Sequence, residues 1–207
     1  AYARLEAMHG ESCRCAMELF RLAADRVRRS AGEFSFRCLV MIAWAFAQAG
    51  LHDRDVFMAM VPHMSASAHV AQHQELANTV WAFSTAHVHH EELFAEIAQR
   101  ALQHLWDFKG QDFTNLICGF AAAGFYNDAL YANAVRVAEY LDLEPQQLLR
   151  LTWAIAEVCR AHPPLRGVVQ SLLPRCSTVL PGFEPQQLAQ AAMAAASSSP
   201  PFNGAAS

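Results

Sequence analysis

The sequence predicts an all-α protein, an α-solenoid of tandem helical hairpins with a period of about 37 residues. Three observations predict it. The stretches "LVMIAWAFAQAG" from Leu39 and "LANTVWAFSTAH" from Leu76 share one pattern, Leu, four residues, then Trp-Ala-Phe, and lie 37 positions apart. The Trp position recurs as Trp44, Trp81, Cys118, Trp153 and Met193, at spacings of 37, 37, 35 and 40. A second column, Phe20, Phe57, Phe94 and Tyr131, keeps a spacing of 37, and each member follows Leu or Val. A hairpin with apolar residues on most sides cannot bury them alone, so the units must stack.

Taken in order, residues 1–33 read as a partial N-terminal repeat whose B helix holds "MELFRLAADRVRRS". Residues 34–182 read as four A/B helix pairs, 183–196 as a partial C-terminal repeat helix and 197–207 as an irregular tail. The A helices are expected at Arg37–Gln48, Gln74–Thr85, Gln111–Ala122, Gln146–Glu157 and Gln186–Ala196. Gly50 and Gly124 stand just past two of them, where a left-handed C-cap belongs. Pro163-Pro164 breaks the chain at the matching point of the fourth pair. Acids mark the entries to three B helices, Asp53 and Asp55, Glu91 and Glu92, and Asp128, where they complement the positive end of the helix dipole.

Within helix A, Leu76, Val80 and Phe83 share one face. Small residues line the neighbouring columns (Ala45, Ala82, Gly119, Ala154; Ala47, Ser84, Ala121, Ala156) and permit close approach of successive A helices. The Trp column is expected to interlock in the interior, with an exposed stacking platform as the other possibility. The face opposite Leu76 carries Arg37, Gln74, Gln111, Gln146 and Gln186 in one column, and Met41, Asn78, Asn115, Arg150 and Gln190 in another. Amides donate and accept at once, as reading a base edge requires. Gln is also a good helix former, and solvation or hydrogen bonding between repeats explains the same columns.

Hydrophobic residues make up 54% of the chain and charged residues 16%, so a large core is affordable and wholesale disorder is excluded. No run approaches the roughly 18 apolar residues of a membrane span. The six cysteines form no paired framework, which favours a reducing interior. The net charge of −4 conceals a gradient. Residues 1–37 carry seven Arg against five acids, residues 38–159 five basic residues against thirteen acids, and the remainder three Arg against one Glu.

The unit "QELANTVWAFSTA" with its spacing of 37 resembles the octotricopeptide-type and RAP-associated helical repeats of algal and protist organelles. "FRCLVMIAWAFAQAG" is similar, and "QDFTNLICGFAAAG" is a drifted copy without the Trp. The resemblance implies an RNA-binding adaptor in mitochondrial or chloroplast gene expression, in RNA stability, processing or translation, possessing organellar or ribosomal RNA and proteins as partners. The candidate RNA contacts are then Arg37, Gln74, Asn78, Gln111, Asn115, Gln146 and Arg150. Charge points the other way, because phosphate contacts need Lys or Arg and the centre is acidic. A structural scaffold contacting only protein is the alternative, with the basic segment around Arg21, Arg26, Arg28 and Arg29 as a further place for an RNA backbone.

No catalytic residue, metal site or cofactor is expected. His87-Val88-His89-His90 falls in a turn and reads as a solvated loop, and His69 with His73 could share a metal only on a continuous helix. Cys13-x-Cys15 lacks a second ligand pair. No phosphate-binding glycine loop and no nucleophile elbow is present.

Overall fold

A computed structural model describes residues 11–161, and every regular element among them is helical. The α-helices are α1 (Glu11–Ser30), α2 (Phe36–Gln48), α3 (Arg54–Ser67), α4 (His73–Thr85), α5 (Glu91–Gln103), α6 (Gly110–Ala122), α7 (Asp128–Tyr140) and α8 (Pro145–Ala161). Short 3-10 turns at Ala31–Glu33, Ala68–Val70 and Leu105–Asp107 lead into α2, α4 and α6. The four expected A helices from Arg37 to Glu157 each begin one residue earlier than the pattern suggested, and α8 continues to Ala161. The stretch "MELFRLAADRVRRS", expected as a B helix, lies within α1, and residues 1–10 lie outside the described residues. Pro163-Pro164, the Gln186–Ala196 helix, the 183–196 and 197–207 segments and the side chain of Cys13 lie outside the described residues.

Local chemistry explains where these helices stop and start. Gly50 has φ 69°, and the Gly50 and Leu51 N–H groups donate to Ala47 O (3.0 Å) and Phe46 O (2.8 Å). Those two bonds satisfy carbonyls left open at the end of α2. Gly124 (φ 68°) closes α6 in the same way, with Phe125 N donating to Phe120 O at 3.0 Å. After α4 the left-handed position is held by His87 at φ 55°, a conformation that costs a residue with a Cβ. The B helices then open on side-chain caps. Asp53 Oδ1, His90 Nδ1 and Asn127 Oδ1 accept from Val56 N (3.2 Å), Leu93 N (3.3 Å) and Leu130 N (2.9 Å). Asp55, Glu91, Glu92 and Asp128 occupy the first turns behind those caps.

The chain divides into two compact units, Ala1–Phe108 and Lys109–Ser207. In the first, α2 packs along α4 while α1 lies against α3 and α3 against α5. In the second, α6 packs along α8. Small residues sit where those helices approach, with Ala47, Ala82 and Ser84 buried in the first unit and Gly119, Ala121 and Ala154 in the second. The column of Phe20 and Phe57 meets the phenylalanines two residues after the Trp positions in the core. Phe20 of α1 meets Phe46 of α2 edge to face at 5.1 Å, and Phe57 of α3 meets Phe83 of α4 likewise at 5.0 Å. Phe46, Phe83, Phe120 and Ile155 are all buried, each worth about 1.5–3 kcal/mol of apolar transfer.

Candidate nucleic-acid interface

Helical residues four and seven apart share a face, so burial of Leu39, Phe46, Leu76 and Phe83 turns the Arg37, Met41, Trp44 row of α2 and the Gln74, Asn78, Trp81 row of α4 outward. Arg37 and Gln74 are exposed and Asn78 is half-buried. Among the described residues, the Gln74 and Asn78 amides have no side-chain hydrogen-bond partner and Arg37 no ion pair. The Trp column departs from the expected interior interlock. Trp44 is 43% exposed, Trp81 is partly exposed, and their rings lie side by side at 6.2 Å and 36°. The core space beneath them is filled by Phe46 and Phe83, which leaves the indoles at the rim.

The second unit presents the same positions differently. Gln111 Nε2 donates to Asn115 Oδ1 (3.0 Å), and Gln147 Nε2 donates to Gln111 Oε1 (3.1 Å). Gln147 Oε1 accepts in turn from Glu144 N (3.1 Å). Gln147 was not among the sequence candidates, whereas Gln146, which was, stays exposed outside this chain of amides. Gly110 lies beneath these amides, where a Cβ would stand 3.0 Å from Gln147 Oε1. A rule based on the A-helix register alone could not find Gln147, because it stands one residue past Gln146, at the position that Asp112 holds in α6. At the Trp position Cys118 is buried, and burial pushes its thiol up to about 12 against an opposing influence from the Arg150 cation. Arg150 itself is exposed.

The sequence family described as RNA-editing substrate-binding complex 6 protein matches residues 16–152, about two thirds of the chain. The chain belongs to this family. No curated protein matches it.

Other clusters of this RNA-editing substrate-binding complex 6 family member bear on the site. Three arginines of α1 are engaged by carboxylates, while Arg29 is exposed without an ion pair among the described residues. Arg21 reaches Glu18 (2.6 Å) and Asp25 (3.2 Å), Arg26 pairs with Glu33, and Arg28 bridges to Asp53 at 2.5 Å. That segment is therefore a set of ion pairs more than a free phosphate surface. The histidine run is accounted for residue by residue. His87 takes the left-handed turn, Val88 is buried, His89 lies 6.5 Å from the Phe94 ring, and His90 Nδ1 caps α5.

His69 and His73 do not share a helix, because His69 is in the 3-10 turn and His73 opens α4. His73 instead joins His104 and Asp107, whose potential ligand atoms all lie within 4.8 Å. Sequence spacing gave no sign of this meeting, since the residues come from different elements. The His73 ring stacks on Phe108 at 4.6 Å, His104 Nδ1 lies 3.5 Å from Asp107, and Arg100 stands 2.7 Å from His104 Nε2. Metal ligation through Nδ1 would leave Nε2–H facing a guanidinium donor, the reverse of the acceptor that usually backs a ligating histidine. The cluster is better suited to a polar cap at the end of α5. Among the described residues no helix is long and apolar enough to cross a membrane.

Proposed function

We propose that this chain is a non-catalytic helical-repeat component of an RNA-editing substrate-binding complex, acting in the mitochondrion. Its hairpins stack as an α-solenoid of about 37-residue period, and single-stranded RNA is met by the outward side of the A helices. One observation carries the RNA contact: Arg37 and the unengaged Gln74 and Asn78 amides stand on outward rows of two packed helices, and neither row holds a carboxylate. Such groups can fix a phosphate and satisfy a base edge at once. Glu75, the nearest acid in sequence, is turned to the Gln72 N–H at 2.9 Å.

A second reading, a scaffold that touches protein alone, is favoured by a different observation. Arg21, Arg26 and Arg28 are paired within the chain, which leaves few cations for phosphates. Immunoprecipitation of the tagged full chain from organelle extract after ultraviolet crosslinking separates the two. Radiolabelled RNA joined covalently to this chain, lost progressively as salt is raised, is the expected result. Recovery of protein partners with no crosslinked RNA would leave the scaffold reading standing and remove the first.

A further inference from the structure

We infer that Trp44 and Trp81 form a stacking platform for unpaired RNA bases. The inference rests on the RNA-contact reading above and names the groups that take the bases. Four observations converge. The first is exposure: Trp44 is 43% exposed with Met41, one turn before it, 61% exposed. Large apolar side chains grouped at a surface mark a contact site far more often than a lone one does. The second is redundancy in packing. Leu39, Phe46, Leu76 and Phe83 already fill the interior, so folding does not need two indoles at the rim.

The third observation is geometry. The rings come from adjacent helices, 6.2 Å apart and tilted by 36°, so they share one surface instead of covering each other face to face. Successive bases laid on such a surface gain about 1–3 kcal/mol each from stacking. Asn78, three residues before Trp81, stands ready for the edge of a stacked base. The fourth is charge. These two rows carry Arg37 and no carboxylate, although residues 38–159 are acidic overall, so a polyanion meets less repulsion along them than the net charge implies. At the matching position of α6 Cys118 is buried, and the second unit offers no such pair between α6 and α8.

The test titrates oligouridylate and oligoadenylate into the full chain and follows tryptophan fluorescence together with filter binding over a range of salt. Quenching is expected with both homopolymers. Trp44→Leu and Trp81→Leu should each weaken binding about tenfold, the loss of roughly one stacked base. Trp44→Tyr should restore most of it, and the salt slope should not change because no phosphate contact is removed. A leucine variant that binds RNA as tightly as the native chain would overturn the platform while leaving the RNA reading intact. Native protein that binds no RNA at any salt would overturn both. Loss of a co-purifying protein from Trp44→Leu with RNA affinity unchanged would assign the surface to a protein partner and reject the inference.

Discussion

The two units place related residues on related helices and obtain different surfaces. In the first, Gln74 and Asn78 have no side-chain partner among the described residues and lie beside a pair of exposed indoles. In the second, Gln111, Asn115 and Gln147 bond to one another and Cys118 is buried where a Trp would stand. The divergence starts from one small difference at the helix start. α4 opens on His73, which stacks on Phe108, whereas α6 opens on Gly110, with Gln147 Oε1 close above it. An amide that has satisfied its neighbours must break those bonds before it can meet a ligand. The first unit is therefore the better prepared surface, although the repeat pattern scored the two alike.

The largest effect should come from the cores, which the comparison leaves equal. Phe83→Ala and Phe120→Ala should each cost about 3–5 kcal/mol, read from urea unfolding. A much smaller loss in one unit would extend the asymmetry from the surface into the packing. Next comes alkaline pH, which singles out the second unit. Burial pushes the Cys118 thiol from its ordinary 9.0 up to about 12, and raises Tyr131 well above its ordinary range. Groups raised in the folded state contribute stability that is whole below their unfolded values and lost as pH climbs through the folded ones. The urea midpoint should accordingly fall from about pH 9 toward pH 12. Cys118→Ala should flatten part of that fall, and an unchanged pH profile would contradict the burial-driven shift.

On the amide face, Asn78→Ala should weaken preference for one base about tenfold, the worth of a base-edge contact. Asn115→Ala should change RNA affinity little, since Asn115 is already bonded to Gln111. Equal effects in filter binding would dissolve the contrast between the units. The smallest pair concerns the helix ends. Gly124→Ala forces a Cβ into a left-handed turn and should cost about 1–2 kcal/mol. His87→Gly relieves that strain in the first unit and should gain about 0.5–1 kcal/mol. Thermal unfolding of the two variants would check both signs.

Much of this was legible in the chain. Gly50 and Gly124 announced their left-handed caps, because only glycine takes that backbone without cost. Leu76, Val80 and Phe83 announced a buried face through spacing alone. The Trp column misled. Hydrophobicity says that an indole prefers the interior, but not that Phe46 and Phe83 have already taken the space. His73, His104 and Asp107 were illegible for another reason, since the start of one helix and the turn beyond another meet only in three dimensions. Gln147 was hidden because it stands one position outside the Gln146 column, and only the packing of α8 along α6 brings its amide to Gln111.

Period and polarity pattern determined from sequence alone that this chain is helical, where its helices turn, and which side of each faces in. They do so because those properties depend on backbone geometry and transfer energy, which act residue by residue. Which amides remain unengaged, which arginines are already paired, and whether a tryptophan ends inside or at the rim were decided only by tertiary structure. Each depends on what a neighbouring helix brings within about 3 Å, the reach of a hydrogen bond, and no spacing along the chain encodes that distance.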